Sequence, residues 1–188
     1  VKKSVSLLAR PVPDLLLQAT PWLAGHLQPG THAVLVLVAE WAEPALQQLL
    51  QAAGGRLTMN RSATEVRDSN RTIVEYTWNH TTLHALKVDR TLTYSQGGFQ
   101  PGRQVEQARA LRAHLGDEVL LHLEWIRNRD GLMTCSGLQL VRFSTEQRLD
   151  EIMQHHRDQG VGINNPHAYI VKEGKQQRVN PDAVAMKS

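Results

Sequence analysis

One turn constrains this chain more than any other feature. Asn128-Arg129-Asp130-Gly131 carries Asp-Gly turn chemistry, in which glycine takes a positive φ, and it stands between two apolar-rich stretches, 119–126 and 132–143. Strands joined by so short a turn pair antiparallel, because a parallel pair needs a crossover of a dozen or more residues. A lone hairpin is marginal in water, so it has to belong to a larger sheet.

The rest of the chain reads as strands alternating with helices. Residues 4–9 form a predicted strand, closed by Pro11 and Pro13, before a helix over 14–26 that buries Leu15, Leu16, Trp22 and Leu23. Residues 31–40, with the run AVLVLVA, read as a buried strand, and 43–53 as a helix with Leu46, Leu49 and Leu50 on one side, stopped by Gly54-Gly55. A short strand is expected at 56–59, a strand at 91–96, a loop at 97–102 and a helix over 103–115 with Val105, Ala108, Leu111 and Leu115 inward. Ser144-Thr145-Glu146-Gln147 offers an S-x-x-Q cap for a last helix that buries Leu149, Ile152 and Met153. The simplest architecture is α+β: two ferredoxin-like split β-α-β units making an antiparallel sheet covered by helices.

Composition sets looser bounds. The 188 residues suffice for a sizeable core, and the net charge of +3 is spread without a Lys/Arg block, which argues against a nucleic-acid partner. The longest apolar run, 33–39, is far shorter than the roughly 20 residues of a membrane span. Cys135 is the one cysteine, so no internal disulfide forms; a reducing cytoplasm and an inert core thiol are expected. The Asn-X-Ser/Thr triplets at Asn60, Asn70 and Asn79 are read as chance.

The densest chemistry lies at 75–94, EYTWNHTTLHALKVDRTLTY. Trp78, Asn79, His80, Thr81, Thr82 and His84 combine flat surfaces, donors, acceptors and groups that titrate near neutrality, the inventory of a small-molecule site. The same run also reads as a capped helix start, with Leu83, Leu86 and Val88 feeding a core. A second segment at 160–174, GVGINNPHAYIVKEG, holds Asn164-Asn165-Pro166-His167 as a rigid turn. His122 and Glu124, two apart on a strand, share one face that is either a ligand wall or a solvated surface. His155-His156 near the end of the last helix reads as capping.

These two segments resemble, in the same order, the substrate-side (cap) half of bacterial FAD-linked oxidases and dehydrogenases. That group is glycolate-oxidase-subunit-like, within the vanillyl-alcohol-oxidase-type flavoproteins. No Gly-rich pyrophosphate loop occurs here, since Gly54-Gly55 and Gly97-Gly98 are isolated pairs. The chain is therefore expected to be a cap domain without its FAD-binding domain and C-terminal tail.

The resemblance implies a helix-covered antiparallel sheet over a flavin, and transfer of hydride from a small hydroxy compound to FAD. It implies His80 as base or hydroxyl orienter and Tyr76, Trp78 and Asn79 as pocket lining. His122, Glu124, His167 and Tyr169 would also meet the substrate, with Asn165 beside the cofactor. Some lactate- and glycolate-type members resemble one another in a Gly-His-X-Gly-Asp-Gly-Asn-X-His motif that holds a divalent metal; it is absent here, so no metal is expected and the 2-hydroxy-acid assignment is weakened. Expected partners are a small-molecule substrate, the FAD-binding domain of the same polypeptide and, as an option, a second copy. Two other readings compete: a non-catalytic ligand-binding or dimerisation module, and a cofactor-free enzyme using His80 with Glu75 or Asp89.

Overall fold

Seven strands and six α-helices occur among the residues that the computed structural model describes: 2–69, 73, 76 and 80–165, with backbone alone at 2–4 and 80. The strands are β1 (Lys2–Leu8), β2 (Ala33–Val36), β3 (Leu92–Phe99), β4 (Val119–Leu120), β5 (His122–Arg127), β6 (Met133–Arg142) and β7 (Gly162–Asn164). The helices are α1 (Val12–Ala19), α2 (Glu43–Ala52), α3 (Ala63–Asp68), α4 (His80–Val88), α5 (Gln104–Leu115) and α6 (Glu146–Asp158). All strands join one antiparallel sheet in the order β2-β1-β5-β6-β3-β7, with β4 beside β6.

The hairpin forms as its turn demands. Gly131 has φ 81°, the Asn128 side-chain oxygen accepts the Leu132 N–H at 2.9 Å, and β5 and β6 pair from Leu123 opposite Gly137 to Arg127 opposite Met133. The C-terminal half, β3-α5-β5-β6-α6-β7, is a complete split unit: each helical crossover skips one strand, so β6 lies between β3 and β5, and β3 between β6 and β7. The fold is α+β with this ferredoxin-like connectivity. The N-terminal half adds β1 and β2 at the β5 edge.

Helices cover both faces. On one, Leu111 and Leu115 of α5 and Leu149, Ile152 and Met153 of α6 meet Phe99, Leu123, Cys135 and Ile163 of the sheet. On the other, Val12, Leu15 and Leu16 of α1 and Ala85 of α4 meet Leu8, Leu120 and Leu140. Each fully buried leucine contributes roughly 1.5–3 kcal/mol, so the two layers hold the sheet between them.

Several expectations are corrected. The helix expected over 14–26 stops at Ala19 and continues as a 3-10 turn at Pro21–Gly25, since Pro21 has no N–H to give and restricts Thr20 before it. No strand forms at 56–59, so the N-terminal half closes no second split unit among the described residues. The apolar run at 31–40 is an edge strand rather than a buried one: β2 pairs with β1 alone, and Val34 is 54% exposed. Likewise α2 has no buried residue.

Strand β3 runs straight through Gly97 and Gly98, which the sequence presented as a loop. The glycines are needed for close approach: a Cβ on Gly97 would lie 3.2 Å from the Gly162 carbonyl oxygen and 3.3 Å from Gln139 Oε1. In α5, Val105 faces out and Gln107 is buried. The Gln107 amide accepts the Gln100 N–H and donates to the Gln159 carbonyl, both at 2.9 Å, so its burial strands no polar group. The α6 cap is Thr145, one residue beyond Ser144, with its hydroxyl accepting the Arg148 N–H at 3.1 Å. His155 and His156 do not cap: His156 is fully buried and bonded to the Ile152 carbonyl at 2.7 Å, while His155 stacks on His114 with centroids 3.9 Å apart.

Two tests follow from this packing. A Cβ on Gly137 would sit 2.9 Å from the buried Phe99 ring, so Gly137→Ala should lower stability by roughly 1–3 kcal/mol in urea unfolding; no change would refute the pinch. Arg148 forks onto Glu118 at 2.9 and 2.7 Å and also meets Glu151, and those hydrogen bonds hold both carboxyls below their usual range. A lowered folded pKa stabilises above the unfolded value and is lost as pH falls through the folded one. The Tm deficit of Arg148→Met should therefore be largest near pH 7 and shrink below about pH 4, whereas a pH-independent deficit would mean packing alone.

Candidate functional site

Residues directly opposite in a sheet share a face, so the register defines what lies side by side. On the face that carries α1 and α4, one row across the strands reads Leu35, Ser6, Glu124, Ser136, Gly98 and Gly162. The adjacent row carries Leu8 and His122 on β1 and β5, and Leu138, Gln96 and Asn164 on β6, β3 and β7. Alternation along β5 brings His122 and Glu124 to this face together, with the His122 Nε2 3.4 Å from Glu124 Oε1.

The row passes from closed to open. Ser6 and His122 are fully buried and Glu124 is 2% exposed; Ser136 is half-buried; Gly98 and Gly162 are exposed. Strand spacing puts Gly98 roughly 10 Å from Glu124. Among the described residues a Cβ on Gly98 would meet nothing within 4 Å, so they leave this end a floor of backbone. Among the described residues no hydrogen-bond partner reaches the buried Ser6 Oγ or Thr82 Oγ1. Chemically the row offers a coupled acid and base behind a hydroxyl, leading to a surface that a flat group can lie on.

The structure corrects the solvated-face reading of His122 and Glu124, which are both buried. Their charge reaches the other face: burial first, and then the Glu124 charge, push the Cys135 thiol up to about 12, which makes it the inert core thiol expected. Tyr76 is 3% exposed and belongs to the core under α1 and α4, its ring 6.2 Å from that of Trp22 and 5.3 Å from that of His84. Its carbonyl accepts the Thr81 hydroxyl at 2.6 Å, which ties it to the first turn of α4. His80 is the first residue of that helix. Trp78, Asn79, His167 and Tyr169 lie outside the described residues, as does the His80 side chain; Asn165 directly follows β7.

Sequence reasoning missed Ser6, Gln96 and Ser136, and it read Gly98 as loop and Gly162 and Asn164 as part of a turn segment where the structure has strands. The signal for one of them was present: the turn at 128–131 fixes Glu124 opposite Ser136. A separate crevice lined by Trp22, Met59, Arg61, Glu65, Val66, Ser69 and Ile73 encloses about 10 Å³, room for a water at most. Among the described residues no third ligand joins His122 and Glu124 in a metal-holding group, and no helix is long and apolar enough to cross a membrane. No family model matches the chain, and no curated protein matches it.

Side chains in direct contact lose stability non-additively when truncated. His122→Leu and Glu124→Leu should each lower stability in urea unfolding, and the loss in the double substitution should fall short of the sum of the two. Additive losses would show that the two side chains do not act as a unit.

Proposed function

We propose that the chain is the substrate-covering domain of a cytoplasmic FAD-dependent oxidoreductase that takes hydride from a carbon bearing a hydroxyl group. The observation that carries this reading is the polar row, which starts at the buried His122–Glu124 pair and ends on a floor free of side chains at Gly98 and Gly162. A floor open on one side is what a covering domain contributes, and the facing wall belongs to the FAD-binding part of the same polypeptide. An antiparallel sheet between helical layers is also the kind of cap that the resemblance of 75–94 and 160–174 implies.

The described residues fit a flavin in one respect: bare backbone at Gly98 admits a flat ring at van der Waals distance, with Asn165 close by in sequence to Gly162 to meet the ring's edge. When bound, flavin supplies the hydride acceptor. The chain's own task is to orient the hydroxyl-bearing carbon and take its proton. His80, at the start of α4, is the base of this reading. Trp78 and Asn79 line the pocket beside it, with His167 and Tyr169 opposite. Tyr76 acts from beneath, by fixing the first turn of α4. His122 and Glu124 are buried at the closed end of the row, so in this reading they support it from behind Ser136 and do not touch the substrate.

A second reading, a ligand-binding or dimerisation module without catalysis, has the exposed apolar side chains at Val34, Leu37, Trp41 and Leu49 in its favour.

His80→Ala in the full-length protein should slow anaerobic flavin reduction by about 10² or more while FAD stays bound. Equal reduction rates would remove His80 from the chemistry. A colourless full-length protein that FAD cannot reconstitute would discard the oxidoreductase and leave the binding module.

A further inference from the structure

We infer that the last turn of α6 is a pH-sensitive latch on β7, closed while His155 and His156 are neutral and released as they take up protons. His156 is fully buried, with its Nδ1 2.7 Å from the Ile152 carbonyl. A carbonyl only accepts, so Nδ1 carries the proton and Nε2 is a bare lone pair. That Nε2 is buried and meets no hydrogen-bond partner among the described residues. A neutral ring tolerates this, whereas a second proton would bring a charge and a donor with nothing to receive them. His155 repeats the arrangement at a half-buried position, its Nε2 buried without a partner among the described residues and its ring stacked on that of His114, centroids 3.9 Å apart and planes at 17°. Protons on both stacked rings would press like charges together.

The neighbouring charges leave that cost in place. On α6, Arg148 and Arg157 have the sign of the protonated rings, and Asp158 is the carboxylate that favours a proton on His155. Glu118 and Glu151 are engaged by Arg148 at 2.7 and 2.9 Å, and on α5 Arg112 is engaged by Asp117 at 2.6 Å. In the sheet beneath, burial pushes the Cys135 thiol up to about 12, so it is uncharged here, and β7 holds no ionisable residue. Burial is the main cause that holds both imidazoles below their usual range. The closed latch therefore binds fewer protons than an opened one, so closing is favoured in full above about pH 6.5 and weakens as the pH falls below it. Strand β7 is what the latch holds. The His156 carbonyl accepts the Val161 N–H at 2.9 Å, Gln107 donates to the Gln159 carbonyl at 2.9 Å, and the next residue is Gly162, opposite Gly98. Gly162 is the outer end of the polar row, so acid loosens the floor from its rim whatever the floor binds.

The test is amide hydrogen exchange of the whole chain between about pH 7.5 and 5.5, with the histidine rings titrated by NMR in the same samples. Protection of α6 and β7, referred to that of α1 at each pH, is expected to fall about tenfold or more across this range, with the His156 ring neutral for as long as α6 stays protected. A His156 ring that takes its proton near pH 6.5 with α6 still protected overturns the inference. An equal loss in α1, which lies on the other face of the sheet, means unfolding of the whole domain and overturns it as well. His155→Gln removes one titrating ring from a half-buried position and should make the fall shallower; an unchanged fall overturns the joint latch.

Discussion

The structure depends on the pairing of β3 with β6. Their ladder runs unbroken from Leu92 opposite Arg142 to Phe99 opposite Cys135, and every other strand apart from β1 and β2 is hydrogen-bonded to one of these two. Both faces of this pair are covered, so a slip of one residue would turn Leu138 and Leu140 toward the α5–α6 layer and Cys135 and Val141 away from it. The glycines reinforce the register. Gly97 lies opposite Gly137, and at either position a Cβ would press on the Gln139 side chain, so larger residues are disfavoured at this crossing.

The polar row inherits its order from that ladder. Glu124, Ser136, Gly98 and Gly162 are distant in sequence and adjacent only because three successive pairings hold one register. Burial of His122 with Glu124 is expensive in desolvation, and an apolar pair of similar size would pack the same strand at least as well. Two ionisable groups taken out of water are a cost to folding that their contacts have to offset. The same reasoning applies to Ser6, whose hydroxyl finds no partner among the described residues.

Much of this was legible in the sequence where local chemistry and period agreed. The Asp-Gly turn, the alternation of β5 and the Leu149, Ile152 and Met153 stripe each have a short-range cause, and the antiparallel α+β class follows from them. What stayed hidden was decided by remote partners. Glycine propensity speaks for a loop at 97–98, and it is β7 and Gln139 pressing close that make a strand there. Gln107 reads as surface until Gln100 and Gln159 supply its two bonds. Spacing of two placed His122 and Glu124 on one face, yet it could not tell water from protein above them, because the cover comes from elsewhere in the chain. An apolar run such as 33–39 likewise has the same composition at the centre of a sheet or at its border.

That border has a further consequence. Among the described residues β2 has a strand on one side only, and residues 33–39 include no lysine, proline or acid of the kind that keeps edges from pairing. Next to it Trp41 is 86% exposed, and α2 lies uncovered. For such a molecule concentration is a structural variable. An edge of this kind is a template for another strand, so crowding favours contact between the borders of two chains.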